Sequence, residues 1–183
     1  MYWKGVLLMK RSQARTLFNR NFNFLFLSGI CSSLGEVVYY LTISWYITKI
    51  YGSGVTMGTV LLIMGTTRFT IGIISGVIVD QIGPKKIMIY SDLLRAVMMV
   101  IFYLALFFGK IPIFLLYTLA FIFGFIDSFY WPASQAIRPR VIGDKDKLSK
   151  ANSIIFTSIR TINLVGPVIA SFSIFYINYP YTF

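Results

Sequence analysis

Six ionisable side chains stand inside long apolar runs of this chain: Glu36, Arg68, Asp92, Arg95, Asp127 and Arg160. A charge in such a setting is costly, so each is a candidate for function. The chemistry open to them is proton exchange on a carboxyl, recognition of a charged group, or pairing with one another. The rest of the inventory closes other routes. With no histidine in the 183 residues, imidazole metal sites and His-dependent triads are excluded. Cys31 is the only cysteine, so there is no internal disulfide and no thiolate metal site. No Walker A, GxGxxG or HExxH pattern occurs, so the sequence implies no metal and no cofactor.

The elements that hold these six residues are long apolar helices. Hydrophobic residues make up 57% of the chain, charged residues only 13%, and the mean hydropathy is +0.74. A soluble domain carries about 25% charged residues. The chain is therefore a membrane protein. Five runs are long enough for a hydrocarbon core of roughly 30 Å, which takes about 20 helical residues. They are Phe22–Ile47, Val55–Val79, Ile87–Phe108, Ile111–Pro132 and Ile154–Ile177. The period-2 polarity of barrel strands is absent.

The linkers orient the runs. Lys4, Lys10, Arg11, Arg15 and Arg20 precede the first, Lys85 and Lys86 follow the second, and Arg138, Arg140, Lys145, Lys147 and Lys150 follow the fourth. The opposite side has only Lys49 and Lys110 before an uncharged tail, 178–183. The positive-inside rule then predicts a multi-pass cell-membrane protein with a cytoplasmic N-terminus. The net charge of +11 is thus accounted for by topology, with docking of anionic lipid head groups as the other reading, and no nucleic-acid partner is expected. The first twenty residues lack the apolar core of a signal peptide, and Met9, followed by Lys10, is an alternative start.

Depth sorts the buried charges. Glu36 lies 14 residues beyond Phe22 and Arg68 lies 13 beyond Val55, which puts both near mid-membrane at about 1.5 Å per residue. Asp127, Asp92, Arg95 and Arg160 fall in the cytoplasmic half. Each layer contains equal numbers of acids and bases. Asp92 and Arg95 read as a structural ion pair. Glu36 has two readings: partner of Arg68, or a mid-membrane carboxyl that exchanges protons or meets substrate. Small residues form seams for close helix approach: Gly58, Gly65, Gly72 and Gly76 in the second run, Ser28 and Ser32 in the first, Gly166 and Ala170 in the fifth.

Between the second and third runs stands Gly76-Val-Ile-Val-Asp80-Gln81-Ile-Gly83-Pro84-Lys85-Lys86. This resembles motif A of the major facilitator superfamily, with Gln81 and Pro84 where that family has basic residues. The resemblance carries over to Gly76, Asp80, Gly83, Lys85 and Lys86. Ser91-Asp92-Leu-Leu-Arg95-Ala96 is similar to the third-span signature of the macrolide-efflux-type drug exporters, as are Gly54-x-x-x-Gly58, Phe129-Tyr-Trp-Pro132-Ala-Ser-Gln-Ala136 and Ala151-Asn152-Ser153. Gly166-Pro167 resembles the core of the antiporter motif, with Ile162 and Ala170-Ser171 departing on its flanks; it reads equally as a structural kink.

The resemblance implies an all-α membrane protein, five transmembrane helices of an incomplete major-facilitator six-helix half. It implies the N-terminal part of an efflux protein, moving small amphipathic molecules in exchange for protons; the intramembrane charges Glu36, Arg68, Asp127 and Arg160 are the candidates for coupling or substrate residues. Full members have twelve or more spans, so a truncated or split protein with a missing C-terminal half is expected. The rival readings are a non-transporting membrane fragment and a partner-binding subunit. A membrane-embedded enzyme is disfavoured, because no cluster of Asp, Glu or His lines one edge of the spans.

Overall fold

The structure, a computed structural model, describes residues 20–176 apart from residue 144, with side chains as far as residue 168 and excluding 144–146. The basic lead-in over 1–19, Met9, the end of the fifth run at Ile177 and the tail 178–183 lie outside the described residues. So do the flanking side chains of Ala170 and Ser171. The described residues are five helices with no strand among them: α1 (Arg20–Tyr51), α2 (Gly54–Ile82), α3 (Pro84–Phe107), α4 (Ile113–Ile142) and α5 (Lys145–Tyr176). Four of them, α1 to α4, are long and apolar enough to cross a membrane. The fifth expected span, as far as it is described, lies within α5.

Each helix is longer than its apolar run, although at the α3–α4 connection Phe108, Ile111 and Pro112 of the expected runs lie outside the helices. The hydrogen-bonded ladder of α4 continues through Pro132 to Ile142, and α5 starts at Lys145, ahead of the apolar run at Ile154. The run measures hydrocarbon thickness, whereas the helix continues into polar surroundings where its backbone bonds are still satisfied internally.

The chain divides into two compact units. The first takes residues up to Val38 and from Arg138 onward. Within it α1 and α5 approach closely at Gly166, where an added Cβ would stand 2.7 Å from Val37 Cγ1. The side chain of Arg138 is buried there: it donates to Asn152 Oδ1 at 3.3 Å and lies 4.9 Å over the Phe156 ring. Pro167 stands inside α5, whose helix runs through it.

The second unit, Tyr39–Ile137, contains the end of α1, all of α2 and α3, and most of α4. Its core is Tyr39, Ile43 and Ile47 from α1, Val60 and Met64 from α2, Met98 and Phe102 from α3, and Leu116, Leu119 and Phe123 from α4. These positions recur at three- and four-residue intervals, one face of each helix. The outward faces are equally apolar, with Leu62, Phe69, Ile73, Tyr103 and Phe114 all well exposed, as lipid requires. One seam is tight. A Cβ on Gly124 would sit 2.7 Å from the carbonyl oxygen of Met64, so the backbones of α2 and α4 touch at this point.

The turns fix the helix ends. Gly83 has φ +99, a conformation that L side chains rarely adopt; its N–H bonds Val79 O at 2.9 Å and its carbonyl accepts from Ile87 N–H at 3.3 Å. One residue therefore closes α2 and opens α3, with Pro84 at the first helical position, where its missing N–H costs nothing. At the other end, Ser53 caps α2 by accepting from Thr56 N–H at 3.3 Å. The α3–α4 connection is clasped by α1: the Tyr46 hydroxyl accepts from Ile111 N–H at 2.7 Å, and the Tyr51 hydroxyl donates to the carbonyl of Ile111.

Candidate functional site

The Gly124 seam sets up a charge cluster one turn further along. In α2, Arg68 follows Met64 by four residues; in α4, Asp127 follows Gly124 by three. The two expected depth layers thus meet, because an arginine side chain spans the few ångströms between them. Arg68 Nη1 lies 3.9 Å from Asp127 Oδ2. From α3, Arg95 Nη2 bonds Asp127 Oδ1 directly, and Arg95 Nη1 lies 3.6 Å from Asp92 Oδ1, three residues back on its own helix. The order is Arg68, Asp127, Arg95, Asp92. Two acids and two bases make a cluster of zero net charge, drawn from three helices.

Burial grades the members. The Asp127 side chain is 1% exposed and that of Arg95 9%, whereas Asp92 is 36% exposed and Arg68 41%. The inner pair is locked in protein, and the outer two residues reach its edge. Aromatic rings complete the setting. The Arg95 guanidinium lies 4.1 Å over Tyr130 and 5.8 Å over Phe123, and Phe123 is stacked on Tyr39 with ring centroids 4.1 Å apart. The Arg68 guanidinium lies 5.2 Å over Trp131. An arginine on an aromatic face gains cation–π energy in addition to its ion pair. Ser128, next to Asp127 and buried, satisfies itself locally by donating to Phe125 O at 2.6 Å.

Glu36, on the part of α1 that belongs to the first unit, is half-buried, and Arg160 on α5 is exposed. Around the α2–α3 turn, Asp80, Lys85 and Lys86 are exposed and Gly83 forms the hinge residue just described. A Cβ on Gly58, Gly65, Gly72 or Gly76 would meet no atom within 4 Å, so this stripe of α2 faces open space among the described residues. Two glycines pack closely: Gly166, expected from its seam, and Gly124, which sequence reasoning passed over. The available signal was a lone glycine between two phenylalanines, three residues before the one acid of its span. Arg138 was likewise read only as a basic loop residue, yet it is 3% exposed.

Five long helices among the described residues, with a neutral charge cluster inside and a one-glycine turn followed by two lysines, agree with the family model of the Major Facilitator Superfamily, which matches residues 25–183. The chain belongs to the Major Facilitator Superfamily. It is 28% identical over 172 residues to the uncharacterized MFS-type transporter YvqJ of Bacillus subtilis, covering 93% of this chain and 40% of that protein. It is 26% identical over 176 residues to the uncharacterized MFS-type transporter YkuC of the same organism, covering 87% of this chain and 40% of that protein. Macrolide efflux protein A of Streptococcus pyogenes is 26% identical over 141 residues, covering 76% of this chain and 34% of that protein. The chain thus spans well under half the length of the curated relatives it matches. No solved structure matches it. As a facilitator-superfamily chain it is a multi-pass membrane protein of a transporter family.

Proposed function

We propose that this chain is the N-terminal part of a facilitator-superfamily efflux protein, exporting small amphipathic molecules in exchange for protons. Its five apolar runs span the cell membrane, with the N-terminus in the cytoplasm. The observation that carries the reading is Asp127, a buried carboxylate between two guanidiniums in apolar helices, in a chain similar over most of its length to a macrolide efflux protein. Intramembrane acids of this kind serve as coupling and substrate groups in transporters. Glu36, Arg68, Asp127 and Arg160 are assigned those roles, with Glu36 as a second coupling carboxyl. The activity requires the C-terminal portion that the relatives carry.

The test is a chimera in which residues 22–177 replace the matching part of macrolide efflux protein A. It should extrude a macrolide, and Glu36→Gln should abolish proton exchange while the protein still reaches the membrane. No extrusion by a well-expressed chimera would refute the reading. Topology is checked separately after Cys31→Ser. A cysteine at Lys110 should react with an impermeant thiol reagent in intact cells, and one at Lys86 should not.

The second reading, a membrane subunit that acts by binding a partner, is favoured by the open glycine stripe of α2. Extrusion by the chimera together with no stable association of the 183-residue chain with any second chain would decide against it.

A further inference from the structure

The two oxygens of Asp127 are not held alike. Oδ1 is committed to Arg95, whose guanidinium is buried and lies against Tyr130 and Phe123. Among the described residues Oδ2 has only Arg68, at 3.9 Å. That distance is well beyond the roughly 2.7–2.9 Å of a charge-assisted hydrogen bond. Arg68 also comes from the edge of the cluster: its side chain is 41% exposed and rests on the face of Trp131. Withdrawing it strands no buried cation, whereas withdrawing Arg95 would. An exchangeable side chain therefore occupies a carboxylate oxygen and an indole face that lie next to each other.

We propose that Arg68 is a placeholder. Asp127 Oδ2 and the Trp131 ring form a binding site for an organic cation, an ammonium or delocalised aminium with N–H donors on an apolar body. The ligand displaces the Arg68 guanidinium and takes both of its contacts. A carboxylate supplies the counter-charge and an aromatic face the cation–π contact, and together they select a cation over a neutral molecule of the same shape. Arg95 keeps Oδ1 throughout, so the α3–α4 pair is intact in both states. The site names a substrate class for the efflux reading and rests on that reading for its purpose, but it can be read by binding alone.

The experiment is equilibrium binding of rhodamine 6G, a fluorescent amphipathic cation with N–H donors, to the 183-residue chain in lipid nanodiscs, followed by anisotropy. Arg68→Gln removes the competitor and a like charge, and should tighten binding about tenfold. Trp131→Leu should weaken it by several-fold, and adding Trp131→Leu to Arg68→Gln should cancel most of the gain. Rhodamine B, which carries its own carboxylate, should show no gain with Arg68→Gln. Unchanged rhodamine 6G affinity in Arg68→Gln overturns the proposal, as does an equal gain for rhodamine B, which would mark a non-selective apolar surface. Extrusion by the chimera is scored independently, so a failed site and a failed transport reading give different results.

Discussion

The inner pair of the cluster supports a quantitative prediction. Asp127→Asn leaves the Arg95 guanidinium, 9% exposed, without the partner it bonds directly. Removing one member of a buried pair costs about 3–5 kcal/mol, because the survivor keeps its desolvation penalty and loses its compensation. Here Asp92 remains 3.6 Å from Arg95 but is itself 36% exposed, so it compensates weakly. The low end of that range, about 3 kcal/mol, is the expected cost, a change of more than a hundredfold in the folded-to-unfolded ratio. Arg95→Met leaves Asp127 with only the distant, half-exposed Arg68 and should cost about as much. The double variant Asp127→Leu with Arg95→Met buries no charge at this point. Such replacements are often neutral, so the double should recover most of the loss. Arg68→Gln removes a half-exposed partner at 3.9 Å and should cost about 1 kcal/mol or less.

Folded yield in membranes, read as the monodisperse fraction after extraction, and the thermal midpoint in nanodiscs give the four corners of a double-mutant cycle. Additive losses in the double variant would refute the argument. So would single variants that fold as well as the parent, because the pair would then not be buried as the structure has it.

Two further predictions concern the backbone. Gly124→Ala places a Cβ 2.7 Å from Met64 O and should cost about 1–3 kcal/mol by separating α2 from α4, whereas Gly65→Ala meets nothing within 4 Å and should be neutral; equal midpoints for the two variants would contradict the seam. Gly83→Ala forces a side chain into φ +99 at the α2–α3 turn and should lower the midpoint by the equivalent of about 1 kcal/mol or more, read in the same nanodisc assay.

The helices were legible because an apolar run of span length has few alternatives, and the α2–α3 turn because Gly83-Pro84 both ends and starts a helix. The contact map was harder. Lipid-facing and protein-facing sides of these helices are equally apolar, so hydrophobic periodicity, which separates inside from outside in a soluble protein, is silent here. Glycine spacing was a partial cue: Gly166 packs as its seam suggests, the regular stripe at Gly58, Gly65 and Gly72 is open among the described residues, and the isolated Gly124 makes a contact that no spacing announced. Depth arithmetic placed Arg68 and Asp127 three residues apart in helices expected to run the same way. It could not tell whether the two would face each other, because rotation about the helix axis is decided by packing. Arg138 was misjudged for the same reason: a basic residue at a helix end reads as topology until its neighbours are known.

Packing and charge meet in one segment of α4. Gly124 lets α2 come close enough for Arg68 to lie against Asp127, and Phe123 and Tyr130 hold the Arg95 guanidinium on the other side. A change that moves α2 away from α4 therefore weakens the Arg68 contact first, since it is the longest and most exposed, and leaves the Arg95 bond in place. The cluster has a soft outer bond and a hard inner one, ordered by burial. In an apolar surround that ordering matters more than the number of charges. Breaking the inner bond strands a buried guanidinium at a cost of several kcal/mol, whereas releasing the outer one costs about 1 kcal/mol or less and frees a carboxylate oxygen. Only the outer bond is cheap enough to exchange.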